Sequence, residues 1–152
     1  DVGSFVPLEA MARIRDYIGN EPVFPDIAAL EAHLRHIHAP FGLLTDAEWR
    51  HLAETSARPA KGGGVTLHYD PAIATPIRAQ EAQALDMKAL WGLVKQPVLL
   101  IRGAESDLLL EETAQAMAAG PNVQLTEITG AGHAPALMDP AQIALVAAFL
   151  AQ

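Results

Sequence analysis

Apolar residues recur at helical spacing through the first half of the chain. One stripe follows Asp26, a favoured N-cap residue, and Thr45 and Glu48 form a capping-box sequence that starts another helix. The spacing of apolar positions and the prolines that interrupt it set the bounds of these helices. We predict helices over residues 7–18, 26–39, 45–57 and 80–95.

Between the third and fourth helices, Lys61 precedes three consecutive glycines. Glycine-rich loops can bind phosphate, but no Lys-Ser/Thr pair and no helix start follow these glycines, as they do in that motif. The residues Val65–Tyr69 are typical of a short extended segment. A hairpin-like turn at Lys61–Gly64 is therefore predicted.

Two apolar runs near the end of the chain, residues 97–102 and 122–128, are typical of buried β-strands. Residues 111–119 between them are predicted to form a helix, and a strand–helix–strand crossover makes the two strands parallel. Asp139 and Pro140 then begin a last helix, which we expect to pack on the sheet. Because a parallel sheet normally has more than two strands, the pattern predicts an incomplete α/β fold.

Composition narrows the class of protein. The chain has 152 residues, of which 51% are hydrophobic, and a formal net charge of −8. This length allows a folded core, whereas the negative charge disfavours nucleic-acid binding. The apolar runs fall far short of the ~20 residues of a transmembrane helix. The chain has no cysteine, which excludes disulfides and thiolate metal sites. We expect a cytoplasmic protein.

Two residues suited to acid–base catalysis each follow a predicted strand. Asp107 comes after the first strand, past Gly103, and His133 comes after the second, among small residues. Loops at the same ends of adjacent parallel strands can bring an Asp and a His into contact, and such a pair supplies two members of a nucleophilic triad. Glu105 is the alternative acid. Asp107 could instead cap the next helix, and His133 could be an exposed loop residue.

Three histidines, at positions 33, 36 and 38, raise the alternative of a metal site. At about 100° per residue, His33 and His36 lie about 60° apart on a helix, whereas His36 and His38 lie about 160° apart. The three cannot share one helix face, so a polar flank is the preferred interpretation and no metal site is predicted. His33 and His36 could still form a pair with a carboxylate from elsewhere.

The sequence RGAESDLL at Arg102–Leu109, followed by GAGHAPALMDP at Gly130–Pro140, resembles the C-terminal part of the α/β-hydrolase superfamily. The resemblance implies an incomplete α/β-hydrolase fold, with a helical lid followed by the last two parallel strands and the C-terminal helix. Residues 1–95 would form the lid region, preceded by the end of a core strand at Asp1–Gly3, and residues 96–152 the C-terminal part of the core. Asp107 matches the triad acid and His133 the triad base.

Contacts with a small organic substrate are expected from Leu108, Ala134 and Trp49. Trp49 has an alternative role, because a large apolar side chain such as Trp49 or Trp91 can equally belong to the core.

The nucleophile of this family is not found in the sequence. It lies in a Gly-x-Ser-x-Gly motif, whereas the serines of this chain, Ser4, Ser56 and Ser106, have other neighbours. The chain also starts at Asp1 without a methionine, so we expect it to follow a segment that carries a Ser or Asp nucleophile. The resemblance implies ester-type hydrolysis with a Ser nucleophile, or alkyl-halide or epoxide hydrolysis with an Asp, in either case without a cofactor or metal.

We expect this chain alone to be inactive, and to pair with the missing segment or with a second copy. The alternative is a non-catalytic binding or interaction module derived from the same fold.

Overall fold

The computed structural model describes residues 2–152. Two units can be distinguished in it. Unit 1 comprises the described residues up to Met11, together with Pro40–Leu43 and Gln83–Gln152, and unit 2 comprises Ala12–Ala39 and Leu44–Ala82. In chain order, the strands and helices are β1 (Phe5–Val6), α1 (Leu8–Tyr17), α2 (Ile27–Ile37), α3 (Asp46–Ser56), β2 (Ala57–Pro59), β3 (Val65–Leu67), α4 (Ala74–Arg78), β4 (Leu85–Asp86), α5 (Lys88–Trp91), β5 (Val98–Gly103), α6 (Glu111–Ala118), β6 (Val123–Ile128) and α7 (Pro140–Leu150).

The parallel pair β5 and β6 forms the centre of unit 1. Val98 pairs with Val123 at one end and Gly103 with Ile128 at the other, so both strands end at the same edge. Helix α6 connects them and covers one face of the pair. The core between helix and strands is made by the side chains Leu100, Leu109, Ala114 and Met117, with Trp91, Val98, Val123 and Leu125 packed around them. The predicted strand–helix–strand unit is confirmed.

Unit 2 is built on the helices α2 and α3 and the antiparallel hairpin β2–β3. Leu30 and Leu34 of α2 and Ala53 of α3 form its core. Both predicted caps are present: an Asp26 carboxylate oxygen accepts from the Ala29 N–H (2.9 Å), and Thr45 and Glu48 form the reciprocal capping box.

The turn predicted at Lys61–Gly64 joins β2 to β3. The Ala60 N–H donates to the Gly64 carbonyl oxygen (3.1 Å), and Gly62, Gly63 and Gly64 all have positive φ. The three glycines supply the left-handed backbone that closes the hairpin.

The prediction of a long helix over residues 80–95 is wrong. The segment instead contains the short strand β4 and the four-residue helix α5. Val6 pairs with Leu85 and Phe5 with Asp86, and the Met87 N–H donates to the Ser4 carbonyl oxygen (2.7 Å). Pairing with a distant part of the chain therefore overrides the local helical pattern.

The last helix forms where it was predicted, and Asp139 caps it. Its expected burial on the sheet is not observed: α7, described along its whole length, contains no buried residue, and Ile143 and Leu150 are 52% and 77% exposed. The two strands, about 4.8 Å apart, are narrower than the roughly 10 Å diameter of a helix, and α6 already covers one face of the pair.

At the start of the chain, Asp1 lies outside the described residues, and Val2 and Gly3 belong to no strand. The assignment of residues 1–95 to a lid region stays a prediction. No helix within residues 2–152 has the length and apolar composition needed to cross a membrane.

The core of unit 2 provides a direct test of this packing. Leu30 is 0% exposed, whereas Leu43 is 102% exposed. We expect Leu30→Ala to lower the free energy of unfolding by about 2–5 kcal/mol and Leu43→Ala to change it by less than about 0.5 kcal/mol. Urea unfolding followed by circular dichroism measures both. Equal midpoints for the two variants would contradict the assigned core.

Candidate active site

The loop after β5 is anchored by Arg102, whose side chain is 7% exposed. Its Nε donates to the Leu109 carbonyl oxygen (2.8 Å), and its Nη1 donates to a carboxylate oxygen of Glu127, the residue paired with it on β6 (2.6 Å). A buried guanidinium is stable only when its charge and its N–H groups are satisfied. Arg102 therefore fixes the far end of the loop relative to both strands.

Ser106 shapes the same loop from within. Its hydroxyl is buried and accepts from the backbone N–H of Leu109 (3.1 Å) and, at longer range, from that of Leu108 (3.4 Å). Its own N–H donates to the Gly103 carbonyl oxygen (2.9 Å). A hydroxyl that accepts from the following N–H groups closes a tight turn. Asp107 is thus held between two buried neighbours and is itself exposed.

Backbone hydrogen bonds join the loops after β5 and β6. The Ala104 N–H donates to the Ile128 carbonyl oxygen, and the Glu105 N–H donates to the Ala131 carbonyl oxygen, both at 2.9 Å. Gly103 permits this approach, because a Cβ at this position would overlap the Gly132 carbonyl oxygen and lie 2.6 Å from that of Ala131. The structure therefore brings the Asp107 and His133 loops together at one edge of the sheet.

The loop that carries His133 departs from ordinary backbone geometry. Gly130, Ala134 and Leu137 have φ angles of 71°, 60° and 55°, and the second and third of these are not glycines. The Gly132 N–H donates to the Pro40 carbonyl oxygen (2.7 Å). His133 itself is half-buried. A strained, well-anchored loop with a partly exposed imidazole is suited to acid–base chemistry.

The residues predicted to contact substrate have different environments. Leu108 is 2% exposed, and Ala134 is half-buried beside His133. Trp49 lies on α3 in unit 2, is 6% exposed, and has the Arg35 guanidinium 5.6 Å from its ring centroid. Trp49 thus belongs to a different unit from Asp107, His133, Leu108 and Ala134, and its contact with substrate stays a prediction.

The other tryptophan, Trp91, borders a cavity of about 370 Å³ in unit 1. Lys88, Glu112 and Met117 also line this cavity, whereas neither Asp107 nor His133 does.

The histidines near the end of α2 are separately placed. The His33 ring packs on Phe24, with the ring centroids 4.9 Å apart. His38 follows the helix as its C-cap, and burial, together with the nearby His33, lowers the pKa of the His38 imidazole. Among the residues that the structure describes, no group of three or more His, Asp or Glu side chains is arranged to hold a metal ion.

Four residues that hold the two loops are not predicted by the sequence analysis. The role of Arg102 could have been predicted, because a cation inside an apolar strand needs a partner. The neighbours of Ser106 exclude it as the nucleophile, but they do not predict its role in the turn. Nothing in the sequence predicts the role of the Pro40 and Phe41 carbonyl groups, because their hydrogen-bond partners lie far away along the chain.

The approach of the two loops can be tested at Gly103. We expect Gly103→Ala to lower the free energy of unfolding by about 2–4 kcal/mol, because the added methyl group meets backbone carbonyls that cannot move independently. Gly92→Ala is the matched control: Gly92 has φ −61° and its nearest neighbour, the Ala89 carbonyl oxygen, would be 3.5 Å away. Chemical unfolding measures both, and a Gly103→Ala protein as stable as Gly92→Ala would refute the close approach.

No family model matches this chain. The sequence is 41% identical over 158 aligned positions to a 3-hydroxybutyrate-oligomer hydrolase from Cupriavidus necator; the match covers 98% of this chain and 54% of that protein. Among solved structures, a protein from Rickettsia typhi described as a hydrolase matches with a TM-score of 0.88 and 32% identity, over 100% of this chain and 52% of the other. An α/β hydrolase from Novosphingobium aromaticivorans matches with a TM-score of 0.85 and 31% identity, over 99% of this chain and 54% of the other.

The chain thus spans about half the length of each of these relatives. The fold of the two solved structures and the parallel β5–β6 pair of this chain agree with the resemblance that the sequence shows. This chain has part of the α/β-hydrolase fold.

Proposed function

We propose that this chain supplies the acid and the base of a hydrolase triad, Asp107 and His133. The observation that carries the proposal is the backbone bridge from the Glu105 N–H to the Ala131 carbonyl oxygen, which joins the two loops. It is supported by the position of both residues just beyond the carboxyl ends of adjacent parallel strands, where sites gather in open α/β sheets.

The proposed mechanism is covalent catalysis by a nucleophile that another segment provides. In the serine version, His133 accepts the hydroxyl proton as the oxygen attacks the ester carbonyl, and then gives that proton to the departing alkoxide. A water molecule, deprotonated by the same imidazole, releases the acid and restores the hydroxyl. Asp107 orients the imidazole and stabilises its charged form. These steps move only protons and an acyl group, so they call for no cofactor or metal.

The relative's name favours esters as substrates. The Cupriavidus necator protein is a 3-hydroxybutyrate-oligomer hydrolase, and the bonds between 3-hydroxybutyrate units are esters of a small hydroxy acid. We therefore favour a serine nucleophile and short oligoesters of hydroxy acids over the halide and epoxide chemistry of an aspartate nucleophile.

The proposed partner is the segment that carries the nucleophile, and it would cover surfaces that this chain leaves open. Among residues 2–152, β6 is the one strand that pairs with β5. Helix α7 is apolar, and Leu150 is 77% exposed. Unpaired strand edges and apolar faces recruit partners. A second copy of the chain is the alternative occupant of the same surfaces.

Catalysis can be tested in a chimera in which this chain replaces the matching part of the Cupriavidus necator hydrolase. We expect the chimera to hydrolyse the linear 3-hydroxybutyrate dimer, with acid release followed at constant pH. Asp107→Asn should lower kcat by about 10⁴-fold and His133→Gln by at least as much, because each removes a member of the triad.

Matched controls separate a triad from a general effect on the fold. His51→Gln changes an exposed histidine on α3, and Glu105→Gln changes the competing acid; both should retain activity within about twofold. The 152-residue chain alone should show no turnover above background. A folded but inactive chimera would favour the non-catalytic interaction module, and a larger loss from Glu105→Gln than from Asp107→Asn would reassign the acid.

Association of the isolated chain provides a second test. We expect it to self-associate at high micromolar concentration in sedimentation equilibrium, because α7 is apolar and none of its residues is buried. Leu150→Asp should weaken association at least tenfold, whereas Leu43→Asp, at an even more exposed position outside α7, should not. A folded monomer at these concentrations would show that the exposed apolar residues of α7 do not drive association.

A further inference from the structure

A short piece of chain, Pro40–Leu43, belongs to unit 1 although the residues on both sides of it belong to unit 2. It connects α2 to α3 and begins inside a single 3₁₀ turn, Ala39–Phe41. A connection between two helices of one unit would ordinarily stay with that unit. The Pro40–Leu43 connection instead belongs to the unit that contains His133.

Two carbonyl groups of this connection bind the His133 loop on both sides of the histidine. The Pro40 carbonyl oxygen accepts from the Gly132 N–H (2.7 Å), and the Phe41 carbonyl oxygen accepts from the Ala136 N–H (3.1 Å). A methyl group at Gly42 would lie 3.5 Å from the Ala131 Cβ, which is ordinary contact distance. The loop is therefore braced immediately before His133 and again three residues after it.

The braced loop is also a strained one. Ala134 and Leu137 have φ angles of 60° and 55°, in the left-handed region that is unfavourable for residues with a Cβ. Such conformations persist only where surrounding contacts hold them. The two hydrogen bonds that the Gly132 and Ala136 N–H groups donate to this segment alternate along the loop with the strained residues, so they are suited to this task.

We propose that Pro40–Gly42 is a positioning segment for His133: its backbone carbonyls hold the strained loop so that the imidazole faces the reacting atoms. This inference rests on the proposed function of His133 as the base. A general base must lie within hydrogen-bond reach of the proton it accepts, and a displacement of about 1 Å can cost 10²-fold in rate. No side chain of the segment need touch the substrate.

The chain offers a closely matched pair of variants for the test. Gly42 and Gly63 both have φ 107°, so alanine meets the same unfavourable φ at either position. Gly63 lies at the tip of the β2–β3 turn with no atom within 4 Å of an added Cβ, whereas Gly42 adjoins the His133 loop. A difference between Gly42→Ala and Gly63→Ala therefore reports whether a disturbance at Gly42 reaches the His133 loop, and not the backbone cost itself.

The first measurement uses NMR on the 152-residue chain. We expect Gly42→Ala to speed hydrogen exchange at the Gly132 and Ala136 amides by tenfold or more, and to move the His133 ring nitrogen shifts towards those of a free imidazole. Gly63→Ala should leave both unchanged. Pro40→Gly, which loosens the segment without a new side chain, should act like Gly42→Ala if that variant fails to fold, and Pro40→Ala should partly restore the wild-type signals.

The second measurement uses the chimera. Gly42→Ala should lower kcat by about 10–100-fold with KM within about twofold, because a misplaced base weakens only the transition state. The acid limb of the pH profile of kcat/KM should also shift, since the imidazole loses its fixed surroundings. A stability defect that merely reduced the amount of folded enzyme would leave the pH profile in place.

The outcomes distinguish this inference from the proposed function. Equal exchange rates, ring shifts and kcat values for Gly42→Ala and Gly63→Ala would overturn the positioning role even if the chimera is active. An inactive wild-type chimera would contradict the proposed function, and the role of the segment would then be decided by the exchange rates and ring shifts. Faster exchange without any change in the ring shifts would show that the segment holds the loop but does not position His133, and would also overturn the inference.

Discussion

The close packing of two backbone loops is the constraint on which the candidate site depends. Gly103 ends β5 directly against the carbonyl groups of Ala131 and Gly132, and no side chain fits between them. Two hydrogen bonds, donated by Ala104 and Glu105, then join the loops. Because these contacts involve only backbone atoms, they fix where the loops run with little dependence on side-chain rotamers.

Charged and polar side chains also hold the loop that carries Asp107. Arg102 is a buried cation on an otherwise apolar strand, and its guanidinium is satisfied by Glu127 and by the Leu109 carbonyl oxygen. Removing one partner of such a pair costs more than the pair itself contributes, because the remaining charge is left desolvated. Ser106 satisfies backbone N–H groups of the same loop. The acid of the proposed triad therefore lies on a loop that is held at both ends.

Much of the fold could be predicted from local pattern. The caps at Asp26, Thr45 and Asp139 were readable because a cap and its partners lie within three residues of each other. The parallel strand pair was readable because the β5–α6–β6 order permits little else.

What could not be predicted depends on contacts between distant residues. Residues 80–95 have a helical pattern, but β4 forms there because Leu85 pairs with Val6, and no short-range signal announces that pairing. The same holds for the connection at Pro40, which the sequence shows only as the end of a helix. Residue types suggested Asp107 and His133, while the backbone groups that hold their loops became visible only in the structure.

The most direct test of the central claim is an NMR titration of His133 in the 152-residue chain and in two charge variants. A carboxylate beside an imidazole stabilises its protonated form, so loss of the true partner moves the titration midpoint to lower pH. If the packed loops pair Asp107 with His133, Asp107→Asn lowers the midpoint and Glu105→Gln leaves it in place. A midpoint that is unmoved by Asp107→Asn, or that falls with Glu105→Gln instead, would contradict this account.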